Sequence, residues 1–374
     1  GSTDVLTGKP SGLGVVGSNS ARGLTDDPID PSFDPAVFDQ VGKVGLGDLE
    51  ISDDGKYLFV MNLYSRKVFR LELNDAYNPT SVVSVTSYDV PSTTCTNGEY
   101  RPFALKFSRN KLYVGVVCSA ENSGIQSNLT ASVYELNNPT GAASFNSTAI
   151  LTAPLDYTKA DEFQPWTNNS NISSGSRNGP ILSDIEFTDR GDMVLGLMSR
   201  SGHQWGENNR LYLKTNTNSV SVSTDGDVLA AGFNCNTGSF SLENNGSITS
   251  STGQTLSGTA SGGGPGGSEF FDDNSPIDPH DETFVGGLAL LKGTGNLMLT
   301  GFAYNTNSGD AGTVKLSTTN GSLVSGSYYE LNNRNDYATG LFAKANGLGD
   351  IELSGDESPI QLGNRVWIDT DGDG

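Results

Sequence analysis

Three short segments of the chain repeat the pattern Asp-(Leu/Ile)-Glu and could carry chemistry. They are Asp48-Leu49-Glu50, Asp184-Ile185-Glu186 and Asp350-Ile351-Glu352. Side chains alternate between the two faces of a β-strand, so the Asp and Glu of each segment would share one face. If these segments are the innermost strands of a ring, their carboxylates gather at its centre and need a cation, an arginine or protons.

Arg101 is the predicted counter-charge for these carboxylates, because it starts the matching strand of another repeat. The site would then be a channel that binds a cation or another ligand. The alternative is purely structural: each Asp caps a turn and each Glu forms a salt bridge to a neighbouring strand.

A second acidic segment is "SEFFDDNSPIDPHDET", residues 268–283. Calcium is a hard cation that takes about 6–8 oxygen ligands, and oxygen-rich loops suit it. We therefore predict Glu269, Asp278, Asp281 and Glu282 as calcium ligands. A solvated acidic loop without an ion is the alternative.

The third acidic motif is "DTDGDG" at residues 369–374. Asp369, Asp371 and Asp373 occupy alternate positions of a D-x-D-x-D-G calcium loop, whose bidentate carboxylate comes later in the motif. We predict that these three aspartates are calcium ligands and that the remaining ligands lie further along a longer chain.

His203 and Trp205 lie in "SGHQWGENN", which is predicted to be a loop. An aromatic face beside a histidine could line a recognition surface for sugars; the alternative is an ordinary loop. The spacing of the two histidines, His203 and His280, does not suit a zinc site.

Charge and composition narrow the class of protein. The 374 residues include 43 acidic and 22 basic side chains, a net charge of −21, which disfavours binding to nucleic acid or to anionic lipid. No apolar run approaches the ~20 residues of a membrane span. The 47 glycines and 35% hydrophobic content favour strands joined by many turns.

The cysteines are Cys95, Cys118 and Cys235. Cys95 precedes a strand-like run and Cys118 ends the next one, so we predict a disulfide between these two. Three buried thiols in a reducing compartment are the alternative.

The strand patterns repeat along the chain. "GLGDLEIS" (45–52) is followed by three more strand-like runs, and similar opening strands recur at 101–108, 181–188, 285–291 and 347–354. Four-stranded repeats of ~40–50 residues are typical of a β-propeller. We predict an all-β propeller of five blades, with six as the alternative count, closed by pairing of N- and C-terminal strands. A pair of β-sandwiches is the rival fold.

The end of the chain resembles a known repeat. "GNRVWIDTDGDG" is similar to the opening strand of the B-type repeat of serine-aspartate-repeat adhesins, an immunoglobulin-like calcium-binding module. The body resembles the N-terminal region of large secreted bacterial proteins that carry such repeats, in "RPFALKFSRNKLYVGVVCSAE", "LSDIEFTDRGDMVLGLMSRSG" and "KANGLGDIE". The resemblance implies a secreted or cell-surface location. Together with the strand repeats, it predicts three parts: an N-terminal extension that contributes to ring closure (1–44), a propeller (45–356) and the start of a truncated B-type repeat (357–374).

The predicted function is a non-enzymatic binding, adhesion or structural module of a bacterial surface protein, stabilised by calcium. Its partner would be a surface glycan, a protein or further copies of itself, without nucleic acid or membrane insertion. The sequence contains neither a G-x-S-x-G elbow nor a phosphate loop. Two alternatives stay open: a calcium-dependent propeller hydrolase with its site at the channel mouth, and a self-assembling filament or surface-layer subunit.

Overall fold

The computed structural model describes residues 18–25, 34–35, 37–92, 95, 97–159, 161–169, 178–205, 209–210, 219–220, 225–258, 260, 263–276, 282–304, 310–332 and 347–353. Helix is confined there to α1 (Asn19–Arg22), α2 (Arg200–Trp205) and two 3-10 turns, Phe38–Gln40 and Gln126–Asn128. None of these helices has the length and hydropathy that a bilayer span requires. The all-β prediction is confirmed.

The first two sheets are antiparallel and follow chain order. The first contains β1 (Leu46–Ile51), β2 (Tyr57–Asn62), β3 (Lys67–Leu73) and β4 (Val82–Asp89). The second contains β5 (Tyr100–Ser108), β6 (Lys111–Cys118), β7 (Thr130–Asn137) and β8 (Ser144–Phe145), with β9 (Leu151–Pro154) also paired to β7.

The third sheet contains β10 (Pro180–Phe187) and β11 (Met193–Ser199), then β14 (Asp227–Asn234) and β15 (Ser239–Leu242). A separate ribbon, β12 (Asn209–Arg210) with β13 (Ser219–Val220), is inserted within it. A hairpin of β16 (Ser247–Thr249) and β17 (Thr255–Ser257) follows. The fourth sheet contains β18 (Phe284–Leu291), β19 (Asn296–Phe302), β20 (Ala311–Ser317) and β21 (Tyr329–Asn332).

The sheets pack face to face in chain order, with their first strands side by side. β1 contacts β5, β5 contacts β10, and β10 contacts β18. Apolar clusters fill the space between successive sheets, for example around Phe59 and Leu112, around Leu182 and Leu195, and around Phe284 and Leu299. The first strands β10 and β18 are largely buried whereas β4 is mostly exposed, so the core lies toward these two strands.

Each first strand has a β-bulge near the same position. The pairing register shifts between Leu46 and Leu49, Pro102 and Leu105, Leu182 and Asp184, and Phe284 and Leu288. A bulge bends a strand and re-aims its side chains. Asp48 and Asp184, the aspartates of two Asp-(Leu/Ile)-Glu segments, lie at these register shifts.

Residues 347–353 lie directly against β18. A Cβ placed on Gly287 would be 2.7 Å from the backbone nitrogen of Ile351, and one on Gly286, with φ of +148°, would be 3.1 Å from the carbonyl oxygen of Gly349. Glycine is therefore needed at both positions for the two segments to approach. The predicted part 357–374 lies outside the described residues.

The predicted disulfide is confirmed between Cys95 and Cys118. It ties the segment before β5 to the end of β6, and Cys235 is a free, exposed cysteine.

Replacement of both bonded cysteines should lower stability. The bond closes a loop with a sequence separation of 23 residues, and a cross-link of this length contributes about 3 kcal/mol by restricting the unfolded chain. We expect Cys95→Ser/Cys118→Ser to lower the midpoint of urea unfolding clearly. The matched control is Cys235→Ser, which should leave the midpoint unchanged; an equal loss in both variants would contradict the prediction.

Candidate functional site

Two aspartates at the bulges connect neighbouring sheets. The backbone N–H of Leu105 on β5 donates to Oδ2 of Asp48 on β1 at 2.7 Å. In the same way the N–H of Leu288 on β18 donates to Oδ2 of Asp184 on β10 at 2.6 Å. Each aspartate thus satisfies a buried backbone donor of the next first strand, which lies at the edge of its sheet.

The aspartates also repel one another. Burial raises the pKa of Asp48 well above its ordinary value, against the Leu105 N–H, and the charge of Asp350 raises it further. Burial likewise raises the pKa of Asp184, and the charges of Asp48 and Asp350 add to the shift. The three aspartates of the repeated segments are therefore brought into one group, as the strand pattern predicted.

The three glutamates of the same segments surround one lysine. Nζ of Lys106 lies 3.2 Å from Oε1 of Glu50 and forms an ion pair with Glu186. The charge of Lys106 also acts on Glu352. We call this group of Asp48, Asp184, Asp350, Glu50, Glu186, Glu352 and Lys106 the axial cluster.

Lys106, rather than Arg101, provides the counter-charge. The guanidinium of Arg101 pairs with Glu121 and lies 5.7 Å from the centroid of the Trp166 ring. The prediction for Arg101 is wrong because that residue lies near the beginning of β5, five positions before Lys106, which faces the glutamates. Alignment of "FALK" with "GDLE" places Lys106 at the Glu position, so the signal was present in the sequence.

A second cluster is buried between the third and fourth sheets. One carboxylate oxygen from each of Asp227, Glu269 and Glu282 lies within 4.8 Å of the others. Lys159 donates to the carbonyl oxygen of Gly226 at 2.5 Å and pairs with Glu282. The hydroxyl of Tyr157 donates to Asp227.

Several oxygens of this cluster have no hydrogen-bond partner among the residues that the structure describes. These are Oδ1 of Asp227, Oε2 of Glu269 and both carboxyl oxygens of Asp273, whose exposed fractions are 0%, 1% and 0%. Buried polar atoms are almost always paired, so unpaired ones call for a missing ion, water or proton. We call Asp227, Glu269, Asp273, Glu282 and Lys159 the lateral cluster.

The lateral cluster has more negative groups than Lys159 can balance. Burial raises the pKa of Glu269 to about 12, and the charges of Asp273 and Glu282 add to this. Burial also raises the pKa of Asp273 and of Glu282, the latter against the charge of Lys159. A divalent cation would compensate these charges and supply partners for the unpaired oxygens, so the donor set fits calcium.

The backbone of the preceding loop closes over the lateral cluster. A Cβ on Gly263, with φ of +88°, would be 2.6 Å from Oε1 of Glu282 and 3.0 Å from Oε2 of Glu269. Glycine is thus required both by the conformation and by the closeness of the carboxylates. The site is enclosed by protein and suits a small ion rather than a substrate.

The structure brings two of the predicted metal ligands together and does not describe the rest. Glu269 and Glu282 meet, whereas Asp278, Asp281, Asp369, Asp371 and Asp373 lie outside the described residues. Asp227 and Lys159 were missed. Asp227 belongs to "TDGD", which the sequence favours as a simple hairpin turn, and Lys159 lies far away in the chain.

The predicted sugar surface at His203 and Trp205 does not form. Trp205 is 3% exposed and packs edge-on against Phe38, with ring centroids 4.7 Å apart. The segment is the helix α2 rather than a loop. His203 stays at the surface beside Gly347, while the indole face needed for stacking is covered.

No family model matches the chain. Two Dictyostelium discoideum proteins are similar to it: colossin-B, 28% identical over 382 residues that cover 95% of this chain, and colossin-A, 26% identical over 377 residues that cover 94%. The chain spans only 9% and 3% of the lengths of these relatives. The similarity therefore concerns a small part of much longer proteins.

Three similar solved structures have low identity. They are an endo-arabinase of Bacteroides thetaiotaomicron (TM-score 0.38, 11% identity, 79% of this chain and 84% of that one), the periplasmic gluconolactonase of Pseudomonas aeruginosa (0.34, 13%, 77% and 53%) and the Dos1 propeller (0.33, 12%, 75% and 46%). Two of them are enzymes, which contradicts the prediction that the chain is not an enzyme. At these TM-scores the similarity identifies no substrate or reaction.

The axial cluster predicts a pH dependence of stability. Burial raises the pKa of Glu50 from 4.5 to about 7, against the charge of Lys106. The unfolded carboxyl group loses its proton near pH 4.5 while the folded one keeps it to about pH 7, so stability falls as the pH rises through this window.

We expect Glu50→Gln to reduce this fall, because the amide does not titrate. The measurement is the melting temperature between pH 4.5 and 7.5 in the presence of a chelator. Glu72→Gln is the control and should keep the wild-type slope, because the Glu72 carboxylate accepts a hydrogen bond from Ser84 at an exposed position. A Glu50→Gln slope equal to that of the wild type would contradict the assignment.

Proposed function

We propose that this chain is a five-bladed β-propeller domain of a secreted or cell-surface protein, with a calcium ion at the lateral cluster that stabilises the ring. The observation that carries the proposal is the set of buried, unpaired carboxylate oxygens on Asp227, Glu269 and Asp273. A domain of this kind presents loops to a partner, here a surface glycan, a protein or another copy of the chain.

The blade count is supported by the repeated first strands. Four sheets each begin with a bulged strand at the centre, and residues 347–353 repeat the sequence of β1 beside β18. Asp350 acts on Asp48 and on Asp184, which is expected if 347–353 is the first strand of a fifth blade. Closure with N-terminal strands, and the division at 44 and 356, remain predictions.

Calcium is supported by charge and by ligand type. The lateral cluster offers four carboxyl groups and one ammonium, all buried. Calcium prefers carboxylate and carbonyl oxygens and tolerates irregular geometry, so widely separated loops can contribute ligands. The full enclosure of these groups favours a resident ion over a reacting substrate.

An extracellular location is supported by the disulfide and the charge. Disulfides persist mainly in oxidising compartments, and a net charge of −21 suits a surface exposed to divalent cations. The match to small parts of long relatives agrees with a modular protein. The B-type repeat at 357–374 remains a prediction based on resemblance.

A second candidate function is hydrolysis at the axial cluster. Glu50, with a pKa of about 7, lies 3.2 Å from the ammonium of Lys106, and Glu352 nearby is exposed. A carboxyl group that titrates near neutral pH beside a cation is suited to general acid–base catalysis. Turnover of glycoside, lactone or phosphoester substrates that is lost in Glu50→Gln would support this function. A complete lack of turnover across these substrate classes would remove it.

Calcium should stabilise the domain, because it binds the folded state only. We expect thermal unfolding after chelation and then with saturating calcium to show a rise of about 5 °C in melting temperature, from linkage at about 100-fold excess over Kd. Asp227→Asn and Glu282→Gln should abolish the rise. Asp89→Asn, at the exposed end of β4, should retain it.

A second pattern of melting temperatures would contradict calcium binding at the lateral cluster. If calcium leaves the melting temperature unchanged and Asp227→Asn raises it with or without calcium, the carboxyl groups share protons rather than an ion. The calcium proposal would then be wrong.

A further inference from the structure

A cleft separate from both carboxylate clusters opens between the second and third sheets. Its volume is about 190 Å³, and its walls come from the β5–β6 turn, the β10–β11 turn and the strands β14 and β15. Ligand pockets for larger organic molecules are typically about 300 Å³ or more. The cleft is therefore sized for one small ring.

One wall of the cleft is aromatic. The rings of Tyr113 and Phe187 have centroids 4.6 Å apart, Phe187 and Phe240 are 6.1 Å apart, and Phe233 and Phe240 are 5.0 Å apart. The three phenylalanines are only half-buried, so part of each ring faces solvent. A connected set of half-exposed rings offers flat apolar faces on which the C–H face of a sugar can stack.

The rim of the cleft carries an available positive charge. Arg109 lies on the turn before β6, is exposed, and has its guanidinium against Gly191, where a Cβ would be 3.1 Å from Nη2. Within the described part of the chain no carboxylate pairs with Arg109, whereas Lys111 pairs with Glu135 at 2.8 Å. The chain has a net charge of −21, so an arginine without a carboxylate partner among the described residues is unusual in it. Beside aromatic rings, this arginine can favour an acidic ligand over a neutral one.

The aromatic wall and the arginine together indicate which kind of ligand the cleft can bind. A guanidinium binds a carboxylate with two parallel hydrogen bonds, and the rings bind a flat apolar face. The Lys111–Glu135 pair also lines the cleft and supplies donors and acceptors for hydroxyl groups. We propose that this cleft binds one carboxylated sugar residue, such as a uronic acid, of an extracellular glycan. This inference rests on the proposed function, because it names the chemical class of the glycan partner proposed there.

The test is titration of the folded chain with glucuronate and with glucose, followed by protein NMR shifts or calorimetry. Glucuronate should bind saturably, and glucose about tenfold or more weakly, because it lacks the charge-assisted contact. Arg109→Gln should lower affinity for glucuronate about tenfold and leave the affinity for glucose unchanged. Phe240→Ala should weaken both.

Arg66 provides a matched control. It is also an arginine with a left-handed backbone conformation (φ of 56°, compared with 51° for Arg109), but it pairs with Glu99 away from the cleft. Arg66→Gln therefore reports the effect of the same substitution on a turn, and should leave sugar binding intact. Melting temperatures show that each variant is folded.

Three outcomes would overturn the inference: no saturable binding of glucuronate, equal affinity for glucose and glucuronate, or an undiminished affinity in Arg109→Gln. Preferential binding of an acidic peptide at the same residues would replace a sugar with a protein partner and would also overturn it. Titrations with calcium and with chelator separate this result from the calcium test, since the cleft shares no residue with the lateral cluster.

Discussion

The hydrogen bond from a backbone N–H to an aspartate of the neighbouring first strand is the interaction on which the arrangement depends. β5 and β18 lie at the edges of their sheets, and Asp48 and Asp184 accept hydrogen bonds from the N–H groups of Leu105 and Leu288 on these edges. Without the acceptor, a buried donor would cost about 1–3 kcal/mol. The carboxylates that resemble a binding site therefore first serve to hold adjacent sheets together.

This structural role brings buried carboxylates close together, so that they repel one another. The aspartates can accept these bonds only by gathering near one another, which burial and mutual repulsion oppose. Two residues further along, the glutamates face the same problem, and Lys106 answers it with one ammonium placed at the equivalent position of the second sheet. A lysine at one position of the repeated pattern thus offsets part of the charge of the neighbouring glutamates.

The sequence predicted what depends on local periodicity and missed what depends on register and distant contacts. The all-β class, the Cys95–Cys118 bond and the grouping of the axial aspartates follow from strand patterns and spacing. Arg101 was chosen by its place at the start of a strand, and only residue-by-residue alignment of the repeats selects Lys106. Glu269 and Glu282 were found in one acidic segment, but Asp227 and Lys159 reach them from other parts of the chain. No local pattern carries that information.

The close contact between Gly287 and Ile351 has a consequence for how the chain folds during synthesis. β18 is made about sixty residues before the segment that covers its inner side. Until residues 347–353 leave the ribosome, an apolar first strand with two glycines, Gly286 and Gly287, remains uncovered on that side. Such an uncovered strand can pair with the same strand of another nascent chain. Packing of residues 347–353 against β18 is therefore expected to limit association between nascent chains.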